Sequence, residues 1–179
     1  MAFKLNNKKV FIAAGLIVII LFGVFLYDRI EILLFNPQKA PVIGDIIADV
    51  GGQDIHGQKK TLAQYQGKYI LLNFWAVWCE PCKNEMPFLE EVFANNQDKI
   101  VVIGVDQGDP PAVLKQFLTE KNITFPIWLD EESAIADKFL VKAFPTTLIL
   151  GPDRKLLAIH IGELNRILLQ TYLDEVSLK

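Results

Sequence analysis

More than any other feature, an uninterrupted apolar run near the N-terminus limits how this chain can fold. From Val10 to Tyr27 the sequence contains eighteen residues without a charged side chain. As a helix the run would be about 27 Å long, close to the roughly 30 Å hydrocarbon core of a bilayer. A buried helix of a globular domain would keep one polar face, and a cleaved signal peptide would be followed by small residues at a cleavage site. The sequence has neither feature, so we predict an uncleaved membrane anchor.

The charges on either side of this run predict its orientation. Basic residues precede it and a net negative charge follows it: Lys4, Lys8 and Lys9 against Asp28, Arg29 and Glu31. Because basic residues are retained in the cytoplasm, the N-terminus should stay inside and the rest of the chain should be exported. We therefore divide the chain into a cytoplasmic N-terminus with a transmembrane helix (residues 1–36, span about 10–27) and an extracytoplasmic domain (residues 37–179).

The composition excludes several classes of function. The chain carries 18 Lys and Arg against 21 Asp and Glu, and this net charge of −3 argues against binding of nucleic acid through basic patches. Two cysteines cannot build a scaffold of several disulfides. A closed four-ligand zinc site would need every cysteine and histidine of the chain, namely Cys79, Cys82, His56 and His160, and their spacing does not suggest one. We therefore predict no metal site.

The hydrophobic pattern of the exported part alternates between strands and helices. Tyr69–Trp75 is a continuous apolar run, which is typical of a central strand buried on both faces. From Cys82 onward Met86, Leu89 and Phe93 recur every three or four residues, as one buried face of a helix requires. Further strands are predicted at residues 100–105, 126–129, 146–150 and 156–161, and further helices at 112–120 and 164–176, with Asp130 as a cap of the helix after it. The order predicts an α/β domain with a mixed sheet.

The chemistry is expected in the motif W-C-E-P-C at residues 78–82, between a predicted strand and a predicted helix. At that place the sulfur of Cys79 lies at a helix N-terminus, where unpaired N–H groups and the helix dipole stabilise a thiolate. The spacing brings Cys82 to the same face of the helix. Pro81 fits the first helical turn because the N–H that it lacks would have no partner there.

The run NFWAVWCEPCKNEMP resembles the thioredoxin-fold thiol–disulfide oxidoreductases, most closely the membrane-anchored, extracytoplasmic branch that includes the ResA, TlpA and CcmG proteins. The resemblance covers roughly residues 40–175. It implies a thioredoxin-like α/β fold, with a central mixed β-sheet flanked by helices, behind one N-terminal transmembrane helix. It also implies that Cys79 attacks the substrate and that Cys82 resolves the mixed disulfide, so that this redox-active disulfide is the only redox group and no other cofactor is needed. The alternative is a purely structural disulfide.

A second stretch matches the same family. Phe144-Pro145-Thr146 precedes a predicted strand and resembles the cis-proline loop that faces the disulfide in these proteins. The resemblance gives Pro145 a catalytic role and lets the backbone of Phe144 pair with an extended substrate segment. The residues expected to contact the substrate are Trp78, Glu80, Pro81, Phe144 and Thr146.

The acidic residues near the motif are expected to tune the thiols. Thioredoxin has a buried aspartate six residues before its first cysteine, and Asn73 stands there in this chain. Because asparagine cannot take up a proton, Glu85 is the candidate proton acceptor, one helical turn after Cys82 and matching a glutamate of the ResA-like branch. The alternative for Glu85 is an ordinary solvated glutamate. Glu80, inside the motif, would also oppose thiolate formation unless solvent screens it.

The resemblance also implies partners and a location. It places the domain on the outer side of a bacterial cell (inner) membrane, held by a single pass, where it would reduce disulfides of proteins such as apocytochrome c with electrons from a membrane dithiol donor. A disulfide oxidase or isomerase of the same fold stays open as an alternative. So does a Cu(I) carrier, because two soft thiolates suit that ion. A thiol peroxidase would need Thr or Ser three residues before its cysteine, and this chain has Ala76 there.

Overall fold

The computed structural model describes residues 7–34 and 39–177. The chain divides into two compact units, Met1–Lys39 and Ala40–Lys179. The domain boundary predicted between residues 36 and 37 lies outside the described residues. In the first unit, helix α1 spans Asn7–Leu34, and its side chains from Leu16 to Tyr27 are exposed. Within the part of the chain that the structure describes, no helix combines the length and the apolarity needed to cross a membrane. The membrane anchor stays a prediction.

The second unit is built on one sheet of seven strands. In chain order the strands are β1 (Gly51–Asp54), β2 (Lys59–Thr61), β3 (Tyr69–Trp75), β4 (Ile100–Asp106), β5 (Ile127–Leu129), β6 (Thr146–Leu150) and β7 (Leu156–Ile161). Their order in the sheet is β2-β1-β5-β4-β3-β6-β7. Strand β4 is parallel to both of its neighbours, whereas β6 is antiparallel to both of its own. The predicted mixed sheet is therefore confirmed, and β3, β6 and β7 have the predicted bounds.

Helices cover the sheet. They are a short 3₁₀ helix (Leu62–Tyr65), α2 (Glu80–Asn95), α3 (Pro111–Glu120), α4 (Ala134–Lys138) and α5 (Arg166–Ser177). Helix α5 begins two residues later than predicted, since the side chain of Asn165 accepts a hydrogen bond from Leu168 N–H and caps the helix. The predicted capping by Asp130 is confirmed, because its two carboxylate oxygens accept from Ile135 N–H and Ala136 N–H at 2.9 Å each.

The sheet separates two apolar cores. Leu71 and Trp75 of β3 face the core that holds Met86 of α2. Leu72 and Phe74 face the opposite core, with residues of β4, β5 and α4. Each of these side chains is buried, and each burial stabilises the fold by roughly 1.5–3 kcal/mol. Strand β3 thus has no solvent face, which explains its continuous apolar sequence and fixes the point from which the Cys79 segment leaves the sheet.

Candidate active site at the start of helix α2

The two cysteines lie at the start of helix α2, shortly after the end of strand β3. Cys79 is the N-cap residue of α2, in extended backbone geometry, and Pro81 lies in the first turn as predicted. Cys79 and Cys82 form a disulfide, with the sulfurs 2.08 Å and the Cα atoms 5.3 Å apart. The sulfur of Cys79 therefore lies at the positive end of the helix dipole, where a thiolate is stabilised.

The two sulfurs differ in their access to solvent. Cys79 keeps 6% of its surface exposed, whereas Cys82 is completely enclosed. The indole of Trp78, next to Cys79, is 68% exposed, while Trp75 is buried in the core beside Phe117. A substrate approaching the surface thus reaches Cys79 before Cys82.

The acid inside the motif is solvated and paired. Glu80 is exposed, and its carboxylate forms an ion pair of 2.5 Å with Lys83 in the next turn of α2. Solvent and this cation both weaken the field of Glu80 at the sulfurs. The expected screening of Glu80 is therefore present. Pro81, beside it, is also exposed and can contact a substrate.

The proline loop lies next to the disulfide segment, as the resemblance implies. The peptide bond between Phe144 and Pro145 is cis. The ring of Phe144 packs edge-on against Trp78, with 5.9 Å between ring centroids. The Thr146 hydroxyl donates to the Ala143 carbonyl at 2.8 Å, so its buried side chain supports the loop from within.

Glu85 occupies a sealed position. Only 1% of its surface is exposed, and each carboxylate oxygen accepts one hydrogen bond, from Asn73 Nδ2 at 2.7 Å and from Leu164 N–H at 2.6 Å. Burial raises the pKa of Glu85 to about 7, the two hydrogen bonds act in the opposite direction, and the charge of Glu163 adds to the rise. The reading of Glu85 as an ordinary solvated glutamate is therefore wrong.

Asn73 connects this acid to the sheet. Its Nδ2 group also donates to Thr147 Oγ1 at 2.9 Å, across the antiparallel pairing of β3 with β6. Its carbonyl oxygen Oδ1 is buried without a hydrogen-bond partner among the described residues. The site thus has one buried ionisable side chain next to a neutral amide, and Thr147 takes part in a contact that the sequence did not indicate.

The sequence did not indicate a pair of buried acids that lies elsewhere in the domain. Asp106 ends strand β4, Asp109 follows three residues later, and both are buried. The carboxylate of Asp109 accepts a hydrogen bond from Val77 N–H, two residues before Cys79. In the sequence Asp109-Pro110-Pro111 directly precedes the helix predicted at residues 112–120, and this run gives no sign that its acid is buried.

The two histidines have other roles. His56 lies exposed in the turn between β1 and β2. His160 of β7 contacts the Tyr172 hydroxyl through Nδ1 at 3.0 Å and the Glu163 carbonyl through Nε2 at 3.2 Å. His160 lies within the strand predicted at residues 156–161. In residues 7–34 and 39–177, no group of three or more His, Cys, Asp or Glu side chains is arranged to hold a metal ion.

Comparison with known proteins agrees with this geometry. The profile of the AhpC/TSA family matches residues 43–159. The chain belongs to the AhpC/TSA family. It is 28% identical to the thiol-disulfide oxidoreductase ResA of Geobacillus thermodenitrificans over 144 residues, which is 80% of this chain and 83% of ResA. It is 32% identical to the thioredoxin-like protein YneN of Bacillus subtilis over 170 residues, or 90% and 95% of the two chains.

The fold has solved relatives as well. One of them is the exposed lipoprotein thioredoxin of Streptococcus pneumoniae, with a TM-score of 0.63 and 25% identity over 72% of this chain and 99% of that one. The thioredoxin-like fold and the chemistry of a thiol–disulfide oxidoreductase, both predicted from the sequence, are confirmed by these comparisons. The roles of the individual site residues stay predictions.

Proposed function

We propose that this protein reduces disulfides of other proteins outside the cytoplasm through the Cys79/Cys82 dithiol. The observation that carries the proposal is the disulfide itself, which places one accessible sulfur at the N-terminus of α2 and one enclosed sulfur behind it. A buried acid, Glu85, one helical turn after Cys82, completes the site.

The proposed reaction consists of two successive thiol–disulfide exchanges. The thiolate of Cys79 attacks one sulfur of the substrate disulfide, the substrate S–S bond breaks, and its electron pair leaves on the other substrate sulfur. The thiolate of Cys82 then attacks the sulfur of Cys79 and releases the second substrate thiolate. The substrate gains two electrons and two protons, and the protein ends as the Cys79–Cys82 disulfide.

Glu85 is proposed to accept the proton of Cys82. A group enclosed as fully as Cys82 cannot pass its proton to bulk water directly, so a nearby acceptor is needed. A carboxylate with a pKa of about 7 is matched to proton transfer near neutral pH. The hydrogen bonds from Asn73 and Leu164 keep its two oxygens in a fixed orientation.

Substrate contacts are proposed for the surface around Cys79. Trp78 and Pro81 are exposed there, and the half-buried ring of Phe144 packs against Trp78. An extended substrate segment could pair with the backbone beside Phe144 in the manner of an added strand, while aromatic faces contact its side chains.

The direction and the partners are inferred from charge and from the relatives. A buried carboxylate near the thiols, here Glu85, disfavours the stable thiolate of a strong oxidant, whereas the exposed Glu80 is screened. We therefore favour reduction, with electrons from a membrane dithiol donor. The similarity to proteins named ResA supports a disulfide-containing protein substrate, and apocytochrome c is the specific candidate.

The location is also part of the proposal. The charge-free run from Val10 to Tyr27, with basic residues before it, supports a single membrane anchor and an exported second unit. The similarity to an exposed pneumococcal lipoprotein supports the same side of the membrane. Protease added to intact cells should degrade the epitope-tagged C-terminus, while a tag before Val10 should remain protected; the reverse pattern would contradict the orientation.

A redox titration of the full chain in detergent tests the function. Trp78 and Trp75 lie close to the disulfide in sequence, so tryptophan fluorescence should report its state in defined thiol–disulfide buffers. A midpoint near that of thioredoxin, about −270 mV, is expected for a reductant. A midpoint near that of DsbA, about −120 mV, would instead indicate an oxidase or isomerase. The absence of any reversible two-electron transition would favour the Cu(I) carrier.

A further inference from the structure

We propose that Asp109 is a positioning residue for the nucleophilic cysteine: it holds the turn that delivers Cys79 to the start of α2, and the buried carboxyl group of Asp106, which accepts a hydrogen bond from the Asp109 N–H, keeps it there. The inference deepens the proposed function and rests on the role of Cys79 as nucleophile. It concerns two buried acids, Asp106 and Asp109, that the proposed reaction does not use.

Two hydrogen bonds define the turn between β3 and α2. The N–H of Cys79 donates to the carbonyl of Ala76 at 3.1 Å, which closes the turn on itself. The N–H of Val77 donates to Oδ2 of Asp109, a residue 32 positions away in sequence. The second bond therefore ties the turn to a distant segment of the chain. A shift at Val77 would be transmitted to Cys79 through only one intervening residue.

Asp109 is held on a stiff segment. Two prolines follow it, and helix α3 begins at Pro111, with Leu114 N–H donating to the Pro110 carbonyl at 3.0 Å. Proline fixes its own backbone torsion and restricts the residue before it. Gly108 has a φ of +79°, a conformation that glycine adopts without strain, and so lets the chain turn back after β4. Asp109 thus has little freedom to follow a moving turn.

Asp106 completes the arrangement. It lies in the last position of β4, beside Trp75 of β3, and its Oδ2 accepts a hydrogen bond from Asp109 N–H at 3.2 Å. The side chain of Asp106 is completely buried beside a second acid, and both conditions disfavour its ionised form, so the proton is assigned to Asp106. Burial first, and then the hydrogen bond and charge of Asp109, raise the pKa of Asp106 to about 8.

The charged groups around this pair leave the proton on Asp106. On the β5 side, Asp130 N–H donates to the Asp106 carbonyl at 2.9 Å, and the Asp130 carboxylate is occupied by the start of α4 and by Gln107 Nε2. The backbone of Glu131 lies beside Gly108. Asp130 and Glu131 are acidic, and Trp75 of β3 is apolar. These surroundings therefore oppose a second negative charge on Asp106 and Asp109.

The experiment measures Cys79 alone. In the full-length Cys82→Ala protein, in detergent, the rate of alkylation by iodoacetamide is followed from pH 6 to 10 by intact-mass spectrometry. Asp109→Asn and Asp109→Ala remove the same charge, but only the alanine variant removes the acceptor for Val77 N–H. At pH 7 we expect alkylation in Asp109→Ala to be about fivefold slower than in Asp109→Asn, because a displaced Cys79 loses thiolate stabilisation from the helix terminus. Equal rates within twofold, or a faster alanine variant, would overturn the proposal.

A second variant decides the case if Asp109→Ala does not fold. Asp106→Asn carries permanent N–H donors toward Asp109 and cannot release a proton. In the parent protein the alkylation rate plotted against pH should show an additional inflection near pH 8, besides the one from the titration of Cys79 itself. Asp106→Asn should lack this additional inflection. The matched control Asp98→Ala replaces an exposed acid and should keep the additional inflection near pH 8. An additional inflection that persists in Asp106→Asn, or that is absent from the parent protein, would overturn the proposal.

Failure of this proposal is separable from failure of the proposed function. Alkylation requires only a reactive Cys79 and no electron transfer. A protein with a reversible redox midpoint but identical Asp109→Asn and Asp109→Ala rates would keep the function and lose the positioning role.

Discussion

The amide of Asn73 donates a 2.7 Å hydrogen bond to Oε1 of Glu85, joining the central strand β3 to the active-site helix α2 in a place closed to solvent. The second oxygen of Glu85 binds Leu164 N–H, 79 positions later in the chain. One acid is therefore clamped between the sheet, the helix and the segment before α5. Its ionisation should affect the stability of the domain and, in the proposed reaction, the proton transfer from Cys82.

Replacing Glu85 with Gln should remove a pH dependence of stability. The pKa of Glu85 is about 7 in the folded protein against a usual 4.5, so the folded state binds more protons than the unfolded state between these values. The free energy of unfolding should therefore decrease as pH rises from 4.5 to 7, by about 3 kcal/mol from this group, and stay level above. Urea unfolding of the oxidised protein at pH 5 and pH 8 measures the difference.

The comparison needs a control on the same helix. Glu91→Gln alters an exposed glutamate that pairs with Arg166 on the surface. This variant should keep the pH dependence of the parent. Because Asp106 contributes equally to all three proteins, it cancels in the comparison. An unchanged pH dependence in Glu85→Gln would contradict the buried, protonated state assigned to Glu85.

Replacing Asn73 with Asp should create a pair of acids that compete for one proton. The new carboxylate would lie within hydrogen-bond distance of Glu85, in a site without solvent. Near pH 5 the pair can hold a shared proton, whereas at pH 8 a second buried charge should destabilise the variant by roughly 3 kcal/mol or more. Urea midpoints at the two pH values test this. Asn165→Asp, which keeps its capping oxygen, serves as control, and an equal loss of stability at both pH values would argue against the pair.

The two cysteines should behave differently when separated. Cys82→Ser leaves Cys79 at the surface and should accumulate a stable mixed disulfide with an aromatic disulfide reagent. Cys79→Ser leaves only the enclosed Cys82, and its adduct should form at least about tenfold more slowly. Intact-mass spectrometry over time gives both rates. Equal rates would show that Cys82 is as accessible as Cys79 and would reverse or remove the assignment of nucleophile.

Replacing Phe144 with Ala should impair protein substrates selectively. Its ring packs on Trp78 beside the disulfide, where an extended chain would bind. Losing one aromatic contact, worth about 1–1.5 kcal/mol, should lower kcat/KM for a disulfide-bonded peptide about tenfold, but leave a small linear disulfide such as 2-hydroxyethyl disulfide unchanged within about twofold. The control Ile167→Ala removes an apolar side chain that is 79% exposed on α5. A parallel loss for both substrates would indicate a damaged site rather than a lost contact.

Much of the fold could be predicted because it depends on local patterns. A continuous apolar run bounded by polar residues is enough to locate Tyr69–Trp75 as a central strand, and a three-to-four residue period is enough for α2. The place of Cys79 at a helix N-terminus follows from these two elements alone. The cis bond before Pro145 was predicted only through resemblance, because the residues around it carry no such signal.

The sequence by itself determined the order of elements, the position of the dithiol and the identity of the acids near it. Only the tertiary structure decided which acids are buried and what they touch. The sequence marks Glu85 as a candidate proton acceptor but does not show that Asn73 and Leu164 bind it, and it gives no sign that Asp109 binds Val77. The physical reason is that desolvation and hydrogen bonding between distant segments exist only after the chain has folded, and these two effects set the protonation of the site.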